Sequence, residues 1–206
     1  MACKDFTSPN TTIVDFASVK NQIIDSASNG YGTELSDILD TIQKQTAVDP
    51  KELEEHFWNM FVTDAFIGNW DRHNGNWGFL YNQETDEMKI APIFDCGSAL
   101  FPQIDDELIK KVISSKAEMN ARVYDMPTSA ILVNGKRGNY YQMITSLEYK
   151  GCNEAIKRIV PHVNLEEINS LIDDVEQLTQ LQKDFLKKII KLRKELILDK
   201  AYPEVK

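Results

Sequence analysis

Residues 68–79 read GNWDRHNGNWGF, a run that sets an Asp, an Arg, a His, three Asn and three Gly around two tryptophans. Its neighbours decide what it is. On the N-terminal side the sequence spells a helix: Asp49 can cap, Pro50 suits the first helical position, Glu52 completes a capping box, and Leu53, Phe57, Phe61 and Ala65 follow at i+4 steps. Gly68 is its natural stop. On the C-terminal side, WGFLY (77–81) and MKIAPIF (88–94) read as strands joined by the polar NQETDE, which makes a hairpin. The crowded stretch is therefore the loop between a capped helix and a hairpin.

A hairpin turns sequence distance into proximity, because residues facing each other across an antiparallel pair have Cα atoms about 4.5–5.5 Å apart. Asn76 enters the first strand and Asp95 leaves the second, so an amide oxygen and a carboxylate converge at one end. That donor set suits a hard, oxygen-loving cation such as Mg²⁺. Asp71 precedes Asn76 in the order D-x-x-x-x-N, and the hairpin is followed by D-x-G. Phosphoryl transfer uses this arrangement: one Asp orients the attacking hydroxyl, while Asn and a second Asp hold metal on the phosphates. Gly75 is expected to let the loop fold tightly, and Gly97 to let the chain turn after Asp95.

Taken singly, these residues are ordinary turn chemistry, since Asp and Asn side chains bond readily to nearby backbone. Their joint offsets point to a metal–phosphate site. Only His56 and His162 accompany His73, which gives little support to a histidine-rich metal hydrolase. Trp70 and Trp77 read as core or rim anchors and Cys96 as inert.

Farther out, Val19, Ile23 and Ile24 suit a short helix beginning near Ser18. Leu35, Ile38, Leu39 and Ile42 suit another after a Thr33 cap, with the loop NGYG (29–32) between them. Leu108, Val112 and Ile113 share a helical face, and ILVNGK (131–136) is a small hairpin about Asn134 and Gly135. From residue 152 onward the pattern is helical, with an apolar stripe of Leu181, Phe185, Ile189, Leu192 and Leu196. Lys187, Lys188, Lys191, Arg193 and Lys194 make the solvated remainder. The fold class is mainly α, in the α+β sense.

The totals bound the function. A chain of 206 residues, 42% apolar and 27% charged, fits one ordinary domain, and neither a repeat nor a linker divides it. The formal charge of −9 argues against non-specific nucleic-acid or anionic-membrane binding. Cys3, Cys96 and Cys152 form no CxxC pair, so a cytoplasmic setting is expected. No apolar run approaches a spanning helix, and residues 1–20 lack the order of a secretion signal.

IGNWDRHNGNWGFL followed by APIFDCGSALFPQ resembles the catalytic and metal-binding segments of HipA-like serine/threonine kinases, particularly the CtkA-like branch. The D-R-H-x-x-N order also resembles the catalytic loop of phosphatidylinositol kinases. The likeness runs from KDF near the start through PTSAI (127–131) to the C-terminal helices, and is strongest over 57–103. It implies that residues 1–206 are one kinase-like C-terminal lobe, a helical bundle with a catalytic β-hairpin. Residues 68–103 would hold the catalytic loop, hairpin and metal-binding segment. ATP and Mg²⁺ are the implied cofactors, and a protein serine or threonine hydroxyl is the acceptor. Asp71 would be the catalytic base, with Asn76 and Asp95 as Mg²⁺ ligands. His73 would support the loop, Arg72 would orient it or neutralise charge nearby, and Asp95-Cys96-Gly97 would stand where protein kinases carry D-F-G.

Such kinases also have a mostly β N-terminal lobe with a phosphate-covering loop and a nucleotide lysine. ACKDF (2–6) resembles the end of that lobe, so Lys4, Asp5 and Phe6 read as a hinge along the adenine, with Lys4 too close to it to be the nucleotide lysine. The expectation is a C-lobe whose N-lobe is absent: a fragment, a short product needing a separate N-lobe, or a degenerate remnant. Half a cleft should bind ATP weakly and expose apolar surface. The competing readings are a non-catalytic module that binds an N-lobe or an antitoxin-like partner, a lipid kinase, and metal-dependent hydrolysis by Asp71, His73 and Asp95.

Overall fold

The computed structural model describes residues 5–24 and 29–206. A strand, β1 (Thr11–Asp15), leads into α1 (Phe16–Ile23), α2 (Leu35–Lys44) and the long α3 (Pro50–Ile67). Strands β2 (Gly78–Asn82) and β3 (Glu87–Ile90) follow, then α4 (Asp106–Ser114) and α5 (Lys116–Tyr124). A small hairpin, β4 (Leu132–Val133) and β5 (Lys136–Arg137), precedes α6 (Tyr140–Thr145), α7 (Lys150–Ile159) and α8 (Leu165–Asp173). The chain closes with α9 (Gln180–Arg193), a π-helical turn (Lys194–Leu198) and α10 (Asp199–Val205). The fold is α+β and mainly helical. Among the described residues, no helix is long and apolar enough to cross a membrane.

Helix α3 forms where its punctuation dictates. The Asp49 carboxylate accepts the Glu52 N–H, Pro50 occupies the first turn, and Gly68 closes the helix in the left-handed region at φ 66°. The reciprocal capping box expected at Glu52 forms instead at α9, between Thr179 and Gln182. Leu53, Phe57, Phe61 and Ala65 are buried as their spacing requires, but so are Trp58, Met60, Val62 and Phe66, so apolar side chains surround this helix. It is the central rod of one continuous hydrophobic core.

The hairpin is wider than its sequence pattern. β1 joins it in register from Thr11 opposite Asn82 to Asp15 opposite Gly78, making a three-stranded antiparallel sheet ordered β1-β2-β3. The β2–β3 ladder runs only from Phe79↔Ile90 to Asn82↔Glu87. The expected strand over 88–94 stops at Ile90: the Ala91 N–H still bonds the Gly78 carbonyl at 2.9 Å, but Pro92 has no N–H to give.

Three local expectations change. Thr33 does not cap α2: its hydroxyl donates to the Ala130 carbonyl, and the cap residue is Glu34. The Glu34 carboxylate instead takes the N–H groups of Asn134 and Gly135 at 2.7 and 2.9 Å, gripping the β4–β5 turn where both residues have positive φ. In α4 the buried pair is Ile109 and Val112, while Leu108 is exposed. Arg193 leaves the solvated face assigned to it and lies buried, donating to the carbonyls of Ala65 and Arg122. Those carbonyls sit at helix ends that need donors, and the planar fork supplies several from one side chain.

Candidate active site

The loop after α3 hangs from a buried ion pair. Arg72, 2% exposed, sends Nε to Asp64 Oδ2 at 2.9 Å and Nη2 to Oδ1 at 3.1 Å. Its Nη1 donates to the carbonyls of Asn76 and Phe94, both at 2.5 Å, and its Nη2 also reaches Cys96 Sγ at 3.2 Å. One guanidinium thus ties α3, the loop that follows it and the segment after β3 together. Burial pushes the Asp64 carboxyl up, and the Arg72 fork pulls it back. On Arg72 burial acts downward, but the Asp64 carboxylate outweighs it and holds the guanidinium above its ordinary value. The bidentate geometry favours the charged form of both partners against that burial. Of the two roles expected for Arg72, the geometry fits orienting the loop, since its donors all point inward.

Asp64 was invisible to motif reading, though a lone acid within the apolar run FVTDAFI is the sort of signal that asks for a buried partner. Asn69 completes that centre: its Nδ2 donates to Asp64 Oδ1 at 2.9 Å and its carbonyl accepts the Tyr140 hydroxyl. Burial raises the Tyr140 hydroxyl far above a phenol's usual range, so it remains a donor.

On this base the polar residues of the loop sort into distinct tasks. The Asp71 carbonyl accepts the N–H of His73 and the Nδ2 of Asn76, both at 2.9 Å. The Asn76 amide is thereby oriented, with Nδ2 engaged and Oδ1 left for another partner. No group among the described residues hydrogen-bonds the Asp71 carboxylate. His73 Nδ1 accepts the Gly75 N–H at 3.0 Å, which places the ring proton on Nε2. Gly75 is required by this packing and not by its φ: a Cβ there would lie 2.9 Å from the Tyr31 ring and 3.0 Å from the His73 ring.

Across the Arg72 clamp, Asp95 is exposed and has φ 52°, an uncommon conformation for a residue with a Cβ. The turn expected at Gly97 is present, closed by the Ala99 N–H on the Cys96 carbonyl at 3.1 Å, and the left-handed residue ahead of it is Asp95. It lines a cleft of about 830 Å³ together with Asp5, Phe6, Ile13, Ile67, Ile93 and Leu100. The hinge candidates Asp5 and Phe6 and the metal-ligand candidate Asp95 therefore share one largely apolar cavity, as a nucleotide site would require. Lys4 lies outside the described residues.

A magnesium ion fits this donor set. Asn76 Oδ1 and the Asp95 carboxylate are hard oxygens, and no cluster of three or more His, Cys, Asp or Glu side chains among the described residues competes for a metal. Two protein ligands suffice where substrate phosphates complete the shell.

Residues 9–181 match the HipA-like C-terminal domain family. This chain belongs to that family. Similar to it is the serine/threonine-protein kinase CtkA of Helicobacter pylori strain J99, 44% identical over 203 residues that make up 98% of this chain and 62% of the relative. The chain thus spans less than two thirds of that curated relative. A crystal structure of a Helicobacter pylori proinflammatory kinase CtkA superposes with a TM-score of 0.95 at 43% identity, over 98% of this chain and 74% of that one. The HipA-like reading of GNWDRHNGNWGF stands, and with it a kinase-like family for the whole matched span.

Proposed function

We propose that this chain is the metal-binding, acceptor-side lobe of an ATP-dependent kinase that phosphorylates serine or threonine hydroxyls of a protein. One observation carries the reading: Asp71, Asn76 and Asp95 are borne on a single buried frame, in which Arg72 clamps the carbonyls of Asn76 and Phe94 and Asn76 is tied to Asp71. Residues 1–206 act as one unit in this reading, with an N-terminal lobe supplied in cis or as a separate polypeptide. Exposed Ile13 and the apolar wall of the cleft form the surface that such a lobe would cover.

Asp71 receives the acceptor proton as the hydroxyl oxygen bonds to the γ-phosphorus and the bond to the departing ADP breaks. No described residue hydrogen-bonds its carboxylate, which leaves its lone pairs for the acceptor. Asn76 and Asp95 would hold Mg²⁺, which when bound supplies positive charge against the phosphates. Arg72 touches no reactant and acts as a positioning residue. His73 braces the loop by accepting the Gly75 N–H at Nδ1, with no described residue bonded to its Nε2.

The test is ATP-dependent phosphorylation by the chain joined by an N-terminal lobe. Asp71→Asn should lower the rate about 10²–10⁴-fold, the usual worth of a positioned base. Asp95→Asn should raise the Mg²⁺ requirement sharply. Unchanged turnover in both variants would sink the proposal.

A further inference from the structure

The sequence stretch left without a task is NGYG. Its loop is held with unusual care: Lys20, 1% exposed, donates to the Gly32 carbonyl at 2.6 Å, and fully buried Asn74 donates from Nδ2 to the carbonyls of Gly30 and Gly32, both at 2.8 Å. Burying an ammonium and an amide is costly unless they are needed where they are. Gly30, at φ 80°, lets the loop press against α1 so closely that a Cβ would sit 1.9 Å from the Ala17 carbonyl oxygen. All of this fixes an aromatic ring that is itself 51% exposed, Tyr31.

Tyr31 stands edge-on to His73, ring centroids 6.2 Å apart, and against Gly75, on the loop that carries Asp71. At the other end of that loop Trp70, 40% exposed, precedes Asp71 directly, its carbonyl held by Arg137. Neither ring lines the nucleotide cleft, whose wall runs through Phe6, Ile67 and Asp95. Two exposed aromatic residues therefore bracket Asp71 along the loop, off the nucleotide cleft, where the acceptor hydroxyl has to arrive.

We propose that Tyr31 and Trp70 form the acceptor shelf of the enzyme, gripping an extended peptide through an apolar or aromatic side chain next to the phosphorylated serine or threonine. Aromatic faces suit this task, offering large rigid contact area at low entropic cost. The inference rests on the kinase reading above.

The experiment uses the chain together with an N-terminal lobe and a peptide library with one fixed serine and randomised flanks. Tyr31→Ala and Trp70→Ala should each raise the peptide KM about tenfold and erase the preference for apolar flanking residues, with the ATP KM unchanged. Tyr31→Phe keeps the ring and should retain both. Thermal unfolding checks that each variant is folded. If the peptide KM and flank preference persist in both Ala variants, or if the ATP KM rises in step, the shelf is refuted. Phosphorylation of phosphatidylinositol vesicles in place of peptides, weakened by the same variants, would overturn the peptide assignment. Activity that survives Asp71→Asn would instead remove the kinase reading beneath it.

Discussion

Removing the Arg72 guanidinium should damage the protein in two separable ways. Arg72→Met strands the Asp64 carboxylate, 1% exposed, and breaking one side of such a pair costs about 3–5 kcal/mol. It also withdraws the donor from the carbonyls of Asn76 and Phe94, at about 1–3 kcal/mol for each one left buried and unpaired. Against a typical total stability of about 5–15 kcal/mol, this single change brings the fold near its limit. Asp64→Leu costs the stranded-charge amount but leaves both carbonyl bonds. The double variant removes both charges at once, so it should be more stable than Arg72→Met by about 3 kcal/mol, because apolar residues substitute well for a buried pair. Urea unfolding of the four proteins, read as a double-mutant cycle, measures this coupling. Phosphoryl transfer by the double variant should stay abolished, since the clamp holding Asp95 beside Asn76 is gone. Additive single costs would refute the ion-pair argument, and a double variant regaining full activity would refute the clamp.

Three further outcomes follow from the site and core. Gly75→Ala should leave the unfolding temperature within a few degrees of wild type yet lower kcat on the order of 10²-fold, because its Cβ would displace His73 and Tyr31; an unchanged kcat would contradict this. In thiol alkylation at pH 8 followed by mass spectrometry, the half-buried Cys96 in the cleft should react before Cys152 and be protected by Mg-ATP. Cys152, whose thiol burial pushes up to about 12, should stay unmodified until the chain unfolds. Since that folded value lies above the thiol's ordinary 9.0, the stabilisation is complete below pH 9.0 and is lost as pH rises toward 12. Conformational stability should fall there by about 1.4 kcal/mol per pH unit for this proton, and Cys152→Ala should flatten the slope.

Helix α3 and the β4–β5 turn were legible because their signals are local. Asp49, Pro50 and Gly68 mark the helix ends in sequence, and Asn134-Gly135 takes the positive φ angles that such a turn needs. The placement of Asp71, Asn76 and Asp95 around one loop and one hairpin was legible for a similar reason, since short offsets along the chain fix it, and the roles proposed for them rest on that placement. What escaped was set by distant partners. TTIVD is too short to declare itself a strand, and its ladder is supplied by β2, more than sixty residues later. Arg193 reads as one cation among many until the Ala65 carbonyl, on another helix, takes its donors. The left-handed backbone at Asp95 had no signal in the sequence, because glycine is the cheaper choice for it and the nearest glycine, Gly97, serves the turn that follows.

Strand β1 has a mechanical consequence. It follows the Asp5–Phe6 edge of the cleft within a few residues, pairs along all of β2, and runs without a break into α1. The first two amides of that helix are moored to the loop, Phe16 N–H on the Trp77 carbonyl at 2.9 Å and Ala17 N–H on the Asn74 carbonyl at 3.0 Å. A five-residue strand is a stiff strut of about 17 Å, so a pull applied ahead of Thr11 is delivered to the backbone beside Asn76 with little slack. A displacement at the Asp5–Phe6 edge of the cleft and the setting of the loop that carries Asp71 are thus geared to each other through a single continuous lever.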